Sequence, residues 1–324
     1  MKKICIIVLS VLLIFMLIIK LNKKNNKADK ITVAEVTHSI FYAPFYVAIE
    51  KGYFKDEGLD IKLVLTSGAD KVSASVLSGD AQIGLAGAES AIYVYNGGEK
   101  DYLQIFSGLT KRDGQFILGR NKVDNFDISM LKGKEILVGR KGGMPSINFL
   151  NALQNSNISK KDLDINYQID FASLSGAFIG GTGDYVNLFE PNASLLEKNK
   201  EGYILASVGK LSGEMPYTTF YARKNFIKNN KETIKKFNNA INKGLSFVEE
   251  NEPKVIAEAI HKQFPDNTIN ELTSMIQNYK QADSWLNNTV VSKKLFENLE
   301  DLLIKNKLIE SYVPFNKLVI NLNE

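Results

Sequence analysis

Two acidic residues and a pair of glycines lie where predicted strands end and predicted helices begin. Glu89 follows the buried stretch 81–86, Glu190 follows the stretch 184–189, and Gly142-Gly143 follows the stretch 135–138. A helix N-terminus presents free backbone amides and a partial positive charge, and parallel α/β sheets bind ligands beyond the carboxyl ends of their strands. These positions predict a ligand-binding edge, with helix capping as the alternative role for Glu89 and Glu190.

The sequence does not predict a catalytic site. The chain has only two histidines, His38 and His261, and its single cysteine, Cys5, lies in an N-terminal apolar run. Neither a Ser-His-Asp arrangement nor a cluster with metal-ligand spacing is evident. The Gly142-Gly143 turn resembles a phosphate-binding loop only loosely, and GxxxxGK[ST] and GxGxxG patterns are missing. We therefore predict a binding protein and not an enzyme, with no metal and no cofactor.

Strands and helices alternate along most of the chain. Strand-like stretches over 31–36, 59–65 and 81–86 are separated by helix-like stretches over 45–51 and 71–77, which is the pattern of a parallel α/β sheet. A chain of 324 residues exceeds the size that one core usually serves. We predict a first lobe from residues 28–110 and 222–324 and a second lobe from residues 111–221, joined by two extended crossings. Helices predominate after Lys224, and we expect them to pack on the first lobe.

The N-terminus predicts a membrane anchor. Three residues precede an uncharged run, Ile4 to Ile19, which is followed by Lys20 and three further lysines. This run is longer than a usual signal-peptide core, and no small-x-small cleavage site follows it. We expect residues 1–27 to tether the protein, uncleaved, to the outer face of the cell membrane. Cleavage and secretion are the alternative.

The net charge of +4 belongs to this N-terminal segment. Six of the 40 Lys and Arg residues lie in residues 1–27, which hold no acidic residue, so the remainder carries 34 basic against 36 acidic side chains. A body without a net positive field does not favour nucleic-acid binding.

Two stretches resemble a known family. Residues 43–60 (APFYVAIEKGYFKDEGLD) and 77–84 (LSGDAQIG) are similar to extracytoplasmic solute-binding proteins of ABC importers, in the branch that serves nitrate, taurine, alkanesulfonates and thiamine-pyrimidine precursors. The resemblance implies a two-lobed, periplasmic-binding-protein-like (type 2) α/β fold with two hinge crossings and a ligand cleft between the lobes. It also implies an ABC permease and its ATPase as partners, and we expect a monomer.

By this resemblance, loops at the strand ends supply the ligand cleft. The implied ligand-binding residues are His38, Tyr42, Ser67, Gly68, Glu89, Ser90, Gly143, Met144, Asp184, Phe189, Glu190 and Tyr217.

The side chains of this set favour one ligand class. Aromatic rings and carboxylates suit an aromatic nitrogen heterocycle such as a thiamine pyrimidine precursor. An aliphatic sulfonate, taurine or nitrate is the alternative, and would use backbone amides with an Arg or Lys. A pyrimidine-biosynthesis enzyme is disfavoured. Such relatives use a cysteine-rich iron site, whereas the single cysteine of this chain, Cys5, lies in the N-terminal apolar run. A membrane-tethered sensor domain is a third class. Only three residues precede the apolar run, which leaves no room for a signalling domain inside the cell and favours delivery to a permease.

Overall fold

The computed structural model describes residues 28–66 and 68–322, which form two five-stranded mixed sheets flanked by helices. The predicted anchor, residues 1–27, and the predicted site residue Ser67 lie outside the described residues. Within the described ranges, no helix is both long enough and apolar enough to cross a membrane.

The strands alternate with helices over the first two thirds of the chain. In chain order the strands are β1 (Asp29–Glu35), β2 (Leu59–Leu65), β3 (Ile83–Gly87), β4 (Leu103–Thr110), β5 (Phe116–Gly119), β6 (Glu135–Leu137), β7 (Asp164–Asn166), β8 (Tyr185–Leu188), β9 (Tyr203–Ser207) and β10 (Thr218–Arg223). The α-helices are α1 (Ala43–Glu50), α2 (Tyr53–Asp56), α3 (Ala69–Ser78), α4 (Glu89–Asn96), α5 (Met144–Asn155), α6 (Leu174–Ile179), α7 (Asn192–Lys198), α8 (Val208–Ser212), α9 (Lys224–Asn229), α10 (Lys231–Glu250), α11 (Pro253–Ile260), α12 (Ile269–Gln281), α13 (Lys293–Lys305) and α14 (Phe315–Leu318).

The first sheet has the strand order β2-β1-β3-β10-β4. β1 is parallel to β2 and β3, whereas β10 is antiparallel to β3 and β4. Every residue of β4 is buried, whereas the edge strand β2 exposes several of its side chains. Because β1 and β3 point the same way, the 3-10 helix Ile40–Tyr42 and helix α4 begin near the same edge of the sheet.

The second sheet repeats this plan with the order β7-β6-β8-β5-β9. β6 is parallel to β7 and β8, and β5 is antiparallel to β8 and β9. Glu190 and Gly143 follow the carboxyl ends of β8 and β6, whereas Asp184 immediately precedes β8. The two-lobed α/β fold inferred from the sequence is therefore confirmed.

Two short crossings join the sheets, residues 111–115 and residues 213–217, and they run side by side. The amide of Met215 donates to the carbonyl of Lys111 (2.9 Å), and the amide of Tyr217 donates to the carbonyl of Thr110 (3.1 Å). Residues 218–221, which the sequence assigned to the second lobe, belong to β10 of the first sheet. The second crossing therefore ends at Tyr217.

The C-terminal helices cover the first lobe. α10 crosses α1 closely at Gly244, where an added Cβ would lie 2.1 Å from the carbonyl oxygen of Pro44. α11 packs on α1 and α12, and α13 also contacts α5 of the second lobe, so these helices are not confined to the first lobe. Buried apolar contacts continue from the first sheet to Met144 and Val186 of the second lobe, and the two lobes are closed against each other.

Candidate functional site

Six buried polar side chains from both lobes and both crossings gather between the sheets. They are Glu89, Asp113, Gln115, Asn148, Asn187 and Tyr217, and we call them the interlobe cluster. Each is at most 5% exposed, and each has at least one polar atom without a hydrogen-bond partner among the described residues. Because an unpaired buried polar atom costs free energy, several in one region indicate a surface built for a ligand.

Short contacts connect the members from the first crossing to the second sheet. The amide of Gln115 donates to Oδ1 of Asp113 at 2.6 Å, and Nε2 of Gln115 donates to the carbonyl of Asn187 at 3.5 Å. On α5, Nδ2 of Asn148 donates to the carbonyl of Met144 at 3.0 Å. Gln115 therefore links the first crossing to β8, whereas the Asn148 bond lies within α5, whose N-terminus at Met144 reaches Glu89.

Glu89 is the carboxylate at which the two lobes meet. It is the first residue of α4, and its side chain reaches the N-terminus of α5 at Met144. Burial raises the pKa of Glu89 to about 7, an effect that the nearby amide groups of Met144 and Ser90 and the Arg140 guanidinium partly oppose. Gly87 leaves the necessary space, because a Cβ there would lie 2.0 Å from Oε2 of Glu89.

Asp113 and Tyr217 face each other from the two crossings. Asp113 is completely buried, and its carboxylate lies close to the Tyr217 hydroxyl, although Oδ2 makes no hydrogen bond of good geometry with a described residue. Burial raises the pKa of Asp113 well above its ordinary value. Burial also raises the pKa of Tyr217 strongly, and the charges of Asp113 and Glu89 add to that rise. Both carboxylates therefore lie within electrostatic reach of one hydroxyl.

Aromatic rings form the apolar part of the site. The Phe41 ring centroid lies 5.3 Å from Phe189 and 5.7 Å from Tyr217, and the Phe189 and Tyr217 centroids are 6.3 Å apart. The indole Nε1 of Trp285 donates to the carbonyl of Phe41 at 2.8 Å and fixes its position. The absence of a side chain at Gly114 admits the Phe41 ring, which a Cβ would approach to 2.5 Å. Planar groups are therefore available from both lobes.

The structure brings six of the residues implied by the resemblance to this region: Tyr42, Glu89, Ser90, Met144, Phe189 and Tyr217. Burial raises the pKa of Tyr42, whose hydroxyl lies near Thr218 and the charges of Glu35 and Glu89. Gly143 is the N-cap of α5 and stands directly before Met144. Gly68 is the N-cap of α3, with φ of 120°, a conformation that favours glycine.

His38 lies in a different network. Its Nδ1 is 2.8 Å from Oε1 of Glu35 and 3.1 Å from the hydroxyl of Tyr46, and its Nε2 is 3.0 Å from the carbonyl of Gln263. Burial lowers the pKa of His38, but the hydrogen bonds to Glu35 and Gln263 outweigh it and leave the pKa raised. The ring also stacks at 4.8 Å against Phe264. In this structure His38 joins β1 to the C-terminal helices.

Glu190 is held by protein groups on both sides. Its carboxylate accepts hydrogen bonds from the amide and hydroxyl of Ser194 (2.9 and 2.8 Å) and from Nδ2 of Asn278 (2.8 Å). Its own amide donates to the hydroxyl of Tyr279 at 2.9 Å. Burial raises the pKa of Glu190, and the Asn278 and Ser194 hydrogen bonds oppose that rise. The contacts favour the capping alternative, and they also tie the second lobe to α12.

Asp184 is not brought to the interlobe cluster. It is exposed, and its Oδ2 accepts a hydrogen bond from the amide of Glu135 at 3.0 Å. Because Asp184 precedes β8 and Glu135 begins β6, both lie at the amino-terminal edge of the second sheet. The cleft faces the carboxyl edge.

The sequence reading missed five contributors: Phe41, Asp113, Gln115, Asn148 and Asn187. Asp113 lies in a turn sequence, Lys111-Arg-Asp-Gly114, where an acidic residue is ordinarily solvated. Asn187 interrupts a strand whose neighbours Val186 and Leu188 are apolar. A polar amide in such a buried stretch is a signal that could have identified it. No group of three His, Cys, Asp or Glu residues able to hold a metal occurs within residues 28–66 and 68–322.

Comparison with known proteins gives one family match and one strong sequence relative. The NMT1/THI5-like family matches residues 40–254. YtlA of Bacillus subtilis, whose name calls it a binding protein, is 44% identical over 298 residues, which cover 92% of this chain and 89% of YtlA.

Solved structures share the fold at low sequence identity. The alkanesulfonate-binding protein SsuA of Xanthomonas axonopodis, bound to MOPS, superposes with a TM-score of 0.72 at 16% identity, covering 90% of this chain and 98% of SsuA. The periplasmic nitrate-binding protein NrtA of Synechocystis superposes with a TM-score of 0.66 at 13% identity, covering 90% and 86% of the two chains. These similarities support the two-lobed fold.

Proposed function

This chain belongs to the NMT1/THI5-like family, and we propose that it is the extracytoplasmic solute-binding component of an ABC importer. In this role it captures a small solute between its lobes and delivers it to a membrane permease that is driven by an ATPase. The protein acts as a monomer held at the outer face of the membrane through residues 1–27. It binds without catalysing a reaction.

The observation that carries this proposal is the position of the interlobe cluster. Its unpartnered atoms lie between two sheets that short crossings join, so hinge motion of the lobes would expose and bury them together. A solute enclosed there would gain hydrogen bonds that the protein alone does not supply. Enclosure between lobes is also the general way in which small-molecule sites bury most of a ligand's surface.

We favour an aromatic nitrogen heterocycle, such as a thiamine pyrimidine precursor, as the solute. Phe41, Phe189 and Tyr217 offer ring faces and edges to a planar molecule. The carboxylates of Glu89 and Asp113 would accept hydrogen bonds from ring-bound amino groups.

An aliphatic sulfonate, taurine or nitrate is the second candidate. The N-terminus of α5 faces the cleft beside Glu89, and a helix N-terminus is a general site for anions. The names of SsuA and NrtA, which share the fold, point to the same class.

A thermal-shift screen of the purified full-length protein would test the function and separate the candidates. The panel contains aminopyrimidines, taurine, ethanesulfonate and nitrate, and a bound solute raises the melting temperature by mass action. We expect stabilisation by an aminopyrimidine. Stabilisation by sulfonates or nitrate alone would select the second candidate, and a panel without any stabilising solute would contradict the proposed function.

A further inference from the structure

A basic surface lies at the edge of the first sheet opposite the cleft. Residues 223–236 end β10, form α9 and begin α10, and they contain six basic residues and one acidic residue, Glu232. We call the basic residues the basic patch: Arg223, Lys224, Lys228, Lys231, Lys235 and Lys236. Because β10 runs antiparallel to β3, its end lies beside the start of β3. Residues 28–324 carry 34 basic against 36 acidic side chains in all, so the basic patch is a local concentration of positive charge.

The charges of the basic patch are available to a partner. Lys228, Lys231 and Lys235 are exposed and form no ion pair with any residue in the described ranges. The acid beside the patch, Asp101, lies 4.0 Å from Nη1 of Arg223. Because like charges repel one another, a group of exposed lysines is stabilised by a surface of opposite charge.

The chain emerges from residues 1–27 at the same edge of the first sheet. The amide of Asp29, the first residue of β1, donates to the carbonyl of Gly58 at 2.9 Å. The carboxylate of the preceding residue, Glu57, accepts from Nδ2 of Asn239 on α10 at 3.3 Å. Asn239 lies one helical turn after Lys235, so the start of β1 and the basic patch are neighbours.

The length of the intervening chain limits how far the basic patch can lie from an anchoring membrane. Nine residues, 20–28, separate the end of the uncharged run at Ile19 from β1. Fully extended, they would span about 30 Å. Four of the nine are lysines, so positive charge continues from the anchor to the patch. Anionic headgroups attract a basic surface held this near, by about fivefold in the docked-to-free ratio for each basic residue.

We propose, resting on the membrane anchor of the proposed function, that the basic patch docks the first lobe on the anionic lipid headgroups of the membrane that holds the chain. α9 and the first turn of α10 lie on the headgroups, and Lys228, Lys231 and Lys235 pair with lipid phosphates. The carboxyl-terminal edge of the first sheet, which faces the cleft, stays clear of the lipid. With the first lobe held, the hinge motion of solute capture becomes a movement of the second lobe.

Fluorescence quenching by lipid headgroups tests this docking in the full-length protein. A fluorophore is attached at Asn229→Cys, an exposed position of α9, in a Cys5→Ser background. The protein is reconstituted into vesicles of phosphatidylcholine or of equimolar phosphatidylcholine and phosphatidylglycerol, each with a trace of nitroxide-headgroup lipid as the short-range quencher. We expect quenching in the phosphatidylglycerol vesicles, lost at about 1 M salt, where the Debye length is about 3 Å. A fluorophore at Asn125→Cys, exposed on the second lobe, should stay unquenched in both.

Substitutions then assign the docking to the basic patch. The patch variant replaces three exposed lysines: Lys228→Gln, Lys231→Gln and Lys235→Gln. It should lower the docked-to-free ratio measured by quenching by about 100-fold. The matched control removes the same charge from exposed positions of the second lobe: Lys132→Gln, Lys160→Gln and Lys161→Gln. The control variant should be quenched as the unmodified protein is.

Equal quenching of the Asn229→Cys label in neutral and anionic vesicles would overturn the inference. A control variant that loses as much quenching as the patch variant would also overturn it. Tighter binding of the protein to soluble polyphosphate than to phosphatidylglycerol vesicles would assign the basic patch to an anionic polymer in place of the membrane.

Vesicle flotation separates this inference from the proposed anchor. Protein that floats with phosphatidylcholine vesicles, but shows no quenching that depends on phosphatidylglycerol, contradicts the docking and leaves the anchor intact. Protein that floats only with phosphatidylglycerol vesicles supports the docking and contradicts the anchor, and protein that floats with neither contradicts both. The thermal-shift screen decides the solute-binding function independently.

Discussion

Glu89 is a buried acid, so its ionised form needs nearby cations or hydrogen-bond donors to stabilise the charge. Tyr42 and Tyr221 of the first lobe, Tyr217 of the second crossing and Tyr93 of its own helix lie within electrostatic reach of it, and Arg140 is the cation that reaches it from the second lobe. Only one of these groups is a cation, and it is largely exposed. The free energy of ionising Glu89 in the folded protein is therefore unfavourable. It depends on pH and on the groups that contact the carboxylate in the cleft.

This dependence gives a signed prediction for the ligand-free protein. Burial raises the pKa of Glu89 from 4.5 to about 7, so between these values the folded state binds more protons than the unfolded state. The free energy of unfolding should fall as pH rises through this window, by at most about 3 kcal/mol. Glu89→Gln should remove this component in urea unfolding measured across the window.

His38 also has a raised pKa, but it titrates in both proteins and cancels in the difference between them. Parallel pH profiles for Glu89→Gln and the unmodified protein would contradict the prediction.

Glu190 is expected to act on stability. Gln at this position would place an NH2 group against the amide of Ser194 or the Nδ2 of Asn278, where the carboxylate now accepts. We expect Glu190→Gln to lower the free energy of unfolding of the ligand-free protein by about 1–3 kcal/mol.

Asp184→Asn is the control for Glu190→Gln, because Asp184 is exposed and accepts only one backbone hydrogen bond. It should change stability by less than about 0.5 kcal/mol. A stable Glu190→Gln protein with weakened solute binding would instead restore the ligand-contact role predicted from the family resemblance.

At the scale of elements, the crossing of α10 over α1 requires a glycine. The Cβ of an alanine at position 244 would lie 2.1 Å from the Pro44 carbonyl and 3.3 Å from the Cβ of Ala48, so the helices would have to separate. Gly244→Ala should cost about 1–3 kcal/mol in chemical unfolding.

Gly176→Ala provides a helical control. Gly176 lies in α6, and a Cβ there would meet nothing within 4 Å. Alanine should leave stability unchanged or raise it by up to about 1 kcal/mol through helix propensity. Equal effects of the two substitutions would show that the close crossing is not the reason for Gly244.

Elements with clear local boundaries could be predicted from the sequence. β2 occupies the predicted range 59–65, and the helix predicted over 71–77 lies within Ala69–Ser78. Residues through 221 were assigned to the second lobe and its crossing, whereas Thr218–Arg223 form β10 of the first sheet. An extended stretch has the same side-chain pattern whether it crosses between lobes or pairs in a sheet, because pairing depends on partners far away in sequence.

The site was predictable where it follows strand ends and unpredictable where burial is imposed from a distance. Glu89 was predicted from its position after a strand, and Met144 and Phe189 from the family resemblance. Asp113 is buried because the second crossing and Phe41 pack against its turn. The sequence of that turn gives no indication of this burial. The cluster of unpartnered polar atoms was visible only once five separate segments were brought together.

For the whole molecule, the closed contact between lobes predicts a measurable opening. Asp70 and Arg140 lie on opposite lobes, are largely exposed, and their side chains are 3.5 Å apart. Residues 28–324 contain no cysteine, so spin labels can be attached at Asp70→Cys and Arg140→Cys in a Cys5→Ser background. We expect a broad, longer distance distribution without solute and a short, narrow one with a bound solute.

A label pair within the first lobe, Asp60→Cys with Asp70→Cys, should keep one distance in both conditions. An interlobe distance that ignores a solute known to bind would contradict hinge closure.

On the proposed function, the two crossings would supply both the pivots of the hinge and part of the ligand contacts, through Asp113 and Tyr217. Adaptation to a new nutrient by changing these residues would also alter the energetics of opening and shutting. Changes of ligand specificity should therefore arise more readily by substitution at Asn148 and Asn187, which lie outside the crossings. Substitution at Asp113 or Tyr217 would affect hinge motion as well as ligand contact.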